Sequence, residues 1–257
     1  MKTALIGYTG FVGSNIARQM NFDEYYNSRN INEIQGNSYD LVVCAGVPAV
    51  KWWANQNPAE DLLVIQRLIE IYRSVQAKRF VLVSTVDVYP SPVGVSESTE
   101  IDLDSVQPYG RHRLLLEQAL QGAFENLHVV RLPGLFGLGL KKNILFDMLC
   151  HNILEKINLQ SRFQWYPLAR IWQDIQTVIA QELPLVNFAV EPLDTHEIWS
   201  KFFPELNVGG DPFPLASYDI QSEHAVHFGG QGAYLMSRSQ VIQMMQDWLI
   251  NPEVKCG

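Results

Sequence analysis

Three glycines near the start of the chain lie within Gly7-Tyr8-Thr9-Gly10-Phe11-Val12-Gly13, with two residues between each pair. The chemistry open to such a stretch is phosphate binding. It follows the apolar run Ala4-Leu5-Ile6 and leads into Ser14-Asn15-Ile16-Ala17-Arg18-Gln19, so it reads as strand, glycine turn and helix. Gly7 turns the chain sharply off the strand, Gly10 lets the backbone approach a pyrophosphate, and Gly13 lets the helix pack on the sheet. The backbone of Thr9, Phe11 and Val12 completes the turn, and the free N–H groups at the helix start face the phosphates.

A dinucleotide also has to be gripped at its ribose. Glu24 to Asn27 reads as a short second strand, and its end is where that chemistry is decided. NAD binders usually place Asp or Glu there for the 2′-hydroxyl, whereas a nearby arginine accommodates the 2′-phosphate of NADP. This chain has Ser28 and Arg29 and no carboxylate, which favours NADP over NAD. The next apolar run, Tyr39 to Gly46, ends in Ala45-Gly46, small residues across which a cofactor can lie.

These residues need a scaffold, and the rest of the chain describes one. Buried parallel strands are expected at 39–46, 79–89 and 127–131 from their β-branched content, with an amphipathic helix at about 59–75 carrying apolar residues at Leu62, Leu63, Ile65, Leu68, Ile69 and Tyr72. Only about a dozen residues separate the second strand from the third, too few for a full helix and another strand, so one strand of the usual sheet is expected to be missing or vestigial. In Lys51-Trp52-Trp53 the aromatics are expected to pack under a loop, with the edge of a substrate pocket as the other reading.

Composition narrows the function classes. With 257 residues, 47% of them hydrophobic, the chain can bury a sizeable core, and its net charge of −8 excludes the basic face of a nucleic-acid binder. No run of about 18 apolar residues and no basic leader is present, so the expected location is the cytoplasm with no membrane partner. Cys44, Cys150 and Cys256 are an odd number without metal spacing, two of them in apolar runs where a reduced, buried thiol is expected, so neither a disulfide framework nor a zinc site is expected, and the histidines likewise show no metal pattern.

A family resemblance becomes specific further along. The glycine turn, the strand end Ser84-Thr85-Val86-Asp87-Val88-Tyr89 and the helix start Tyr109-Gly110-Arg111-His112-Arg113, which begins 24 residues after Thr85, together resemble the extended short-chain dehydrogenase/reductases, the sugar-nucleotide epimerase/dehydratase group. Leu132-Pro133-Gly134-Leu135-Phe136-Gly137 is similar to the loop that those enzymes place beside the nicotinamide, and 163–198 resembles their closing strands and helices.

The resemblance implies an α/β fold: a doubly wound, Rossmann-type parallel sheet with a small C-terminal substrate lobe. Residues 1–137 would form the dinucleotide-binding core, and 138–257 a mixed substrate-side region that also returns elements to the core. It implies an NAD(P)-dependent oxidoreductase or epimerase acting on a nucleotide sugar or related polyhydroxyl substrate, with a homodimer as the candidate assembly. Tyr109 would be the acid/base, Thr85 the orienting hydroxyl, and Ser84 and Pro133 cofactor neighbours. The residue that grips the ribose and lowers the tyrosine pKa is a lysine in the family, and here it is Arg113. That departure keeps a second reading open, a cofactor-binding regulatory or scaffold protein without turnover. The family's dehydratases carry an Asp-Glu pair after the threonine. This chain has Val86 and Asp87, which argues against a 4,6-dehydratase and leaves Asp87 as an auxiliary acid or base, or simply a hydrogen-bonded strand-end carboxylate.

Overall fold

A computed structural model describes residues 1–254 and Cys256. The chain divides into two units. The first comprises Met1–Ser91, Glu97–Leu132 and Arg170–Asn187; the second comprises Pro92–Ser96, Pro133–Ala169 and Phe188–Gly257. The break after Leu132 falls a few residues before the expected 137, and one late segment returns a helix and a strand to the first unit.

The first unit is built on six parallel strands in the order Leu185–Asn187, Leu127–Leu132, Phe80–Thr85, Leu41–Cys44, Thr3–Ile6 and Glu24–Tyr26. Apolar residues occupy both faces. Ala4, Ile6, Val42, Cys44, Phe80 and Leu82 pack into one cluster with Ile65, Leu68, Tyr72, Leu116 and Leu120. Their alternates Leu5, Val43 and Val81 are equally buried and, with side chains alternating along a strand, serve the opposite face. The helices Pro58–Arg73 and Pro108–Gln121 pack against each other, as do Phe11–Gln19 and Ile171–Ala180, so the sheet is doubly wound.

The sheet ends at Glu24–Tyr26, and no strand is added beyond it. The link to Leu41–Cys44 instead holds a single turn of helix, Ile31–Ile34, and a two-residue strand, Ser38–Tyr39, paired with Gln76–Ala77. The run 79–89 stops being strand at Thr85, whose hydroxyl accepts the Asp87 N–H at 3.1 Å and bends the chain into the turn Val86–Val88.

Behind the strand ends lies a buried polar network. Arg131 donates to Glu117 Oε2 at 2.6 Å and to the Tyr89 hydroxyl at 2.8 Å, and Asn187 donates to the same hydroxyl at 3.0 Å. Arg131 and Glu117 are about 95% buried, and each is the other's charge partner, with Tyr89 as a further acceptor for Arg131 and Ser84 a further donor to Glu117.

In the second unit, Gly134–Phe136 pairs in parallel with Trp165–Pro167, and Arg162–Phe163 pairs antiparallel with Leu193–Asp194. Asn143 caps the helix Ile144–Cys150, accepting the N–H groups of Leu145 and Phe146 at 3.0 and 3.1 Å. The expectation that the cysteines form no disulfide is corrected here. Cys150 is disulfide-bonded to Cys256, because the chain end after helix Arg238–Leu249 returns to within 5.4 Å, Cα to Cα, of the helix that ends at Cys150. Cys44 is buried as a free thiol. Among the described residues no helix is long and apolar enough to cross a membrane, and no cluster of His, Cys, Asp and Glu could hold a metal ion.

The Glu117–Arg131 pair gives a stability test. Glu117→Ala should lower the unfolding free energy by about 3–5 kcal/mol, because it strands a buried guanidinium. The double variant Glu117→Ala/Arg131→Met should recover most of that loss in urea unfolding.

Candidate active site

The glycine turn sits at the carboxyl end of Thr3–Ile6. Gly7 has φ +85, and a Cβ there would lie 2.4 Å from the Ala45 carbonyl oxygen; one on Gly13 would lie 2.1 Å from the Gly7 carbonyl oxygen. The protein's own backbone therefore demands glycine at both positions, and the turn backs directly onto Ala45-Gly46. Gly10 differs. A Cβ there would meet one protein atom, the Gly7 carbonyl oxygen at 3.3 Å, so the space in front of Gly10 is open. Gly10 is also the N-cap of helix Phe11–Gln19, which has neither a side-chain cap nor an acidic residue in its first turn. An uncapped helix start behind an open glycine suits an anion, and the pyrophosphate of a dinucleotide fits these residues.

Ser28 and Arg29 are exposed, just beyond Tyr26, whose carbonyl accepts the Gly7 N–H at 2.7 Å. The Arg29 N–H bonds to Asn27 Oδ1 at 2.9 Å, which fixes the backbone there. The loop is thus held against the glycine turn.

Helix Pro108–Gln121 starts with proline and is seated by two contacts. Asn55 Oδ1, on the short helix Lys51–Gln56, accepts the Tyr109 N–H at 2.9 Å. Gly110 lies so close to the turn after Thr85 that a Cβ would fall 1.9 Å from the Asp87 carbonyl oxygen. This approach brings Tyr109, 7% exposed, to the strand end at Thr85, whose hydroxyl lowers the Tyr109 pKa slightly.

Arg113 does not project from this arrangement. Its Nη1 and Nη2 donate to the two carboxylate oxygens of Asp61 at 2.5 and 2.9 Å, Nη2 also donates to the Pro48 carbonyl at 2.6 Å, and Nη1 to the Tyr109 carbonyl at 3.2 Å. Only Nε lacks a partner. Both residues are nearly inaccessible, His112 Nδ1 lies 2.7 Å from the same carboxylate, and the guanidinium carbon rests 4.1 Å from the centre of the Tyr109 ring. The expected reach of Arg113 toward a ribose is replaced by a bidentate buried ion pair, since the planar fork matches a carboxylate better than a lysine would.

The electrostatics of Tyr109 differ from the expectation as well. Burial pushes its pKa above the ordinary value. Arg113 and Lys51 pull it down and Asp87 pushes it up, but burial prevails. Lys51 Nζ donates to Asp87 Oδ1 at 2.8 Å, so Asp87 is an ion-paired strand-end carboxylate. Ser84 turns its hydroxyl the other way and donates it to Glu117, within the polar network behind the strand. Pro133 belongs to the second unit. Trp52 is 65% exposed, contrary to the expected packing under a loop, because Lys51–Gln56 is helical and directs Ala54 inward instead.

Sequence reasoning missed Asp61, although a signal was available. It stands four residues before Ile65 and seven before Leu68, on the buried stripe of an amphipathic helix, where a carboxylate requires a cationic partner.

A model of the NAD dependent epimerase/dehydratase family matches residues 4–161. No curated protein sequence matches the chain. Among solved structures it is similar to a dTDP-4-dehydrorhamnose reductase of Bacillus anthracis in complex with NADP, with TM-score 0.75 and 14% identity over 97% of this chain and 98% of that one. It is also similar to DesIV, a dTDP-glucose 4,6-dehydratase of Streptomyces venezuelae with NAD bound, with TM-score 0.72 and 16% identity over 98% of each chain. A third is TunA, an NAD-dependent NDP-hexosamine 5,6-dehydratase of tunicamycin biosynthesis, with TM-score 0.71 and 16% identity over 96% and 97%. At these identities the likeness is one of fold.

The contrast between Gly10 and Gly13 can be tested directly. Gly13→Ala should cost about 1–3 kcal/mol of stability through its clash with backbone. Gly10→Ala should unfold at nearly the wild-type urea concentration and yet bind NADP(H) at least about tenfold more weakly, a loss of about 1.4 kcal/mol read by calorimetric titration.

Proposed function

The chain belongs to the NAD-dependent epimerase/dehydratase family, and from that premise we propose that it is a nicotinamide-dependent reductase or epimerase acting on a nucleotide sugar, with Tyr109 handling the proton. The observation that carries this reading is the close seating of Tyr109-Gly110 against the turn after Thr85, at the carboxyl end of Phe80–Thr85, in the same parallel sheet whose first strand ends in the open glycine turn. The solved structures of similar fold include a reductase with NADP and a dehydratase with NAD, which supports a nicotinamide without deciding between the two forms. We favour NADP because Arg29 stands at the ribose position with no carboxylate near it in sequence.

When bound, the nicotinamide supplies or accepts the hydride. The chain's own part is the proton. With its pKa raised by burial, Tyr109 stays protonated through neutral pH and suits the role of general acid, giving its proton to the oxygen of a carbonyl as that oxygen gains charge. Thr85 orients the same oxygen. Reduction of a keto-sugar is therefore the favoured direction. Water elimination is disfavoured, since Val86 stands at the first position of the dehydratase carboxylate pair and Asp87 is engaged by Lys51.

A second reading, a cofactor-binding protein without turnover, is supported by one observation: the cation at the lysine position is committed to Asp61. A panel of keto-nucleotide sugars with NADPH, followed by loss of NADPH absorbance, separates the two readings. Tyr109→Phe should abolish any turnover found and leave NADPH affinity nearly unchanged. Retained turnover would overturn the mechanism. The pH dependence has a definite sign. Carbonyl reduction should be level through neutral pH and decline as pH rises through the elevated Tyr109 pKa, while alcohol oxidation should increase over the same rise.

Cofactor choice is tested separately. Arg29→Ala should weaken NADP binding by about 1–3 kcal/mol and leave NAD binding unaltered, as expected for loss of a charge-assisted hydrogen bond to phosphate.

A further inference from the structure

Arg113 lowers the Tyr109 pKa from behind the ring, but both its Nη atoms are bound to Asp61 in a buried pair, so it brings no accessible charge to a ligand in the way the family's lysine does. Another ammonium is close by. Lys51 opens the short helix whose Asn55 caps Tyr109, and its Nζ lies 2.8 Å from Asp87, two residues past Thr85. This side chain is about half exposed, whereas Arg113 is almost wholly buried. We propose that Lys51, poised on Asp87, is the positioning cation for the Tyr109 hydroxyl, doing from a neighbouring helix what the family's lysine does from the next turn of the same one. The proposal rests on the reading of Tyr109 as the proton-transfer group.

The groups that face Tyr109 in its unit are few. Arg113 comes from its own helix, with Asp61 of helix Pro58–Arg73 and the adjoining His112 behind it. Thr85 and Asp87 come from the strand end, and Lys51 from the short helix. Lys51 and Asp87 act on the hydroxyl with opposite sign, the ammonium favouring the phenolate and the carboxylate opposing it. Because they also pair with each other, the two form an adjustable couple. An anionic substrate group that draws Lys51 away would strengthen the pull of Asp87 on the proton, whereas one that occupies Asp87's place would release it.

Fluorine NMR of the full chain labelled with fluorotyrosine tests this without substrate or cofactor. The ring fluorine brings tyrosine ionisation into the pH range of the folded protein, and Tyr109→Phe assigns the resonance. Lys51→Met should raise the Tyr109 midpoint, Asp87→Asn should lower it, and Lys51→Arg should leave it near the wild-type value. A merely structural role for Lys51 would not give shifts of opposite sign from the two partners of one ion pair. The proposal fails if Lys51→Met leaves the midpoint in place or lowers it, or if Lys51→Arg shifts it as far as Lys51→Met does. Should Lys51→Met fail to fold, Lys51→Gln is read in the same way. Failure here would leave the enzyme reading standing, because that reading is decided by the turnover of wild type against Tyr109→Phe.

Discussion

Arg113 and Asp61 meet face to face, two N–H donors on two carboxylate oxygens, with almost no water reaching either. Burying two charges costs several kcal/mol per ion, and the cost is recovered only when geometry is good and the remaining donors are satisfied. Here the second N–H of each terminal nitrogen goes to a backbone carbonyl, Pro48 or Tyr109, and one N–H is left over. The pair joins helix Pro58–Arg73 to the start of helix Pro108–Gln121 at the point where Tyr109 must be held. The rest of the site is arranged around that clamp.

Its consequence is a division of labour among cations. In a site where one lysine both grips a ribose and tunes a tyrosine, position and charge are joined in a single side chain. Here Arg113 works from the buried side: it stacks on the ring of Tyr109, bonds its carbonyl and lowers its pKa, with its Nη atoms held by Asp61. Lys51 stands where charge can act. Burial of Tyr109 then outweighs both cations and raises its pKa above the ordinary value.

Close backbone packing supplies the remaining precision. Gly7 and Gly13 are required by contacts inside the protein and Gly110 by the turn at Asp87, so the glycine turn and the seat of Tyr109 are both set by backbones within van der Waals reach. Such contacts yield little to thermal motion. Side chains around the site, Lys51, Arg29 and Trp52 among them, are exposed.

Much of this was legible in the chain itself. The order of strands, the glycine turn and the helix opening at Pro108 follow from local pattern, because parallel strands buried on both faces must be apolar runs and a helix must begin where proline and an apolar period allow. The short link after Tyr26 likewise announced the absent strand. What the sequence left undecided were pairings between residues far apart along it. Arg113 and Asp61 are separated by 52 positions, Lys51 and Asp87 by 36, Cys150 and Cys256 by 106. An arginine in place of a lysine is read from sequence as a cation of the same sign. Whether its charge reaches the cofactor or is spent on a buried carboxylate depends on which side chain the packing of two helices sets beside it, and that was decided only by the tertiary structure.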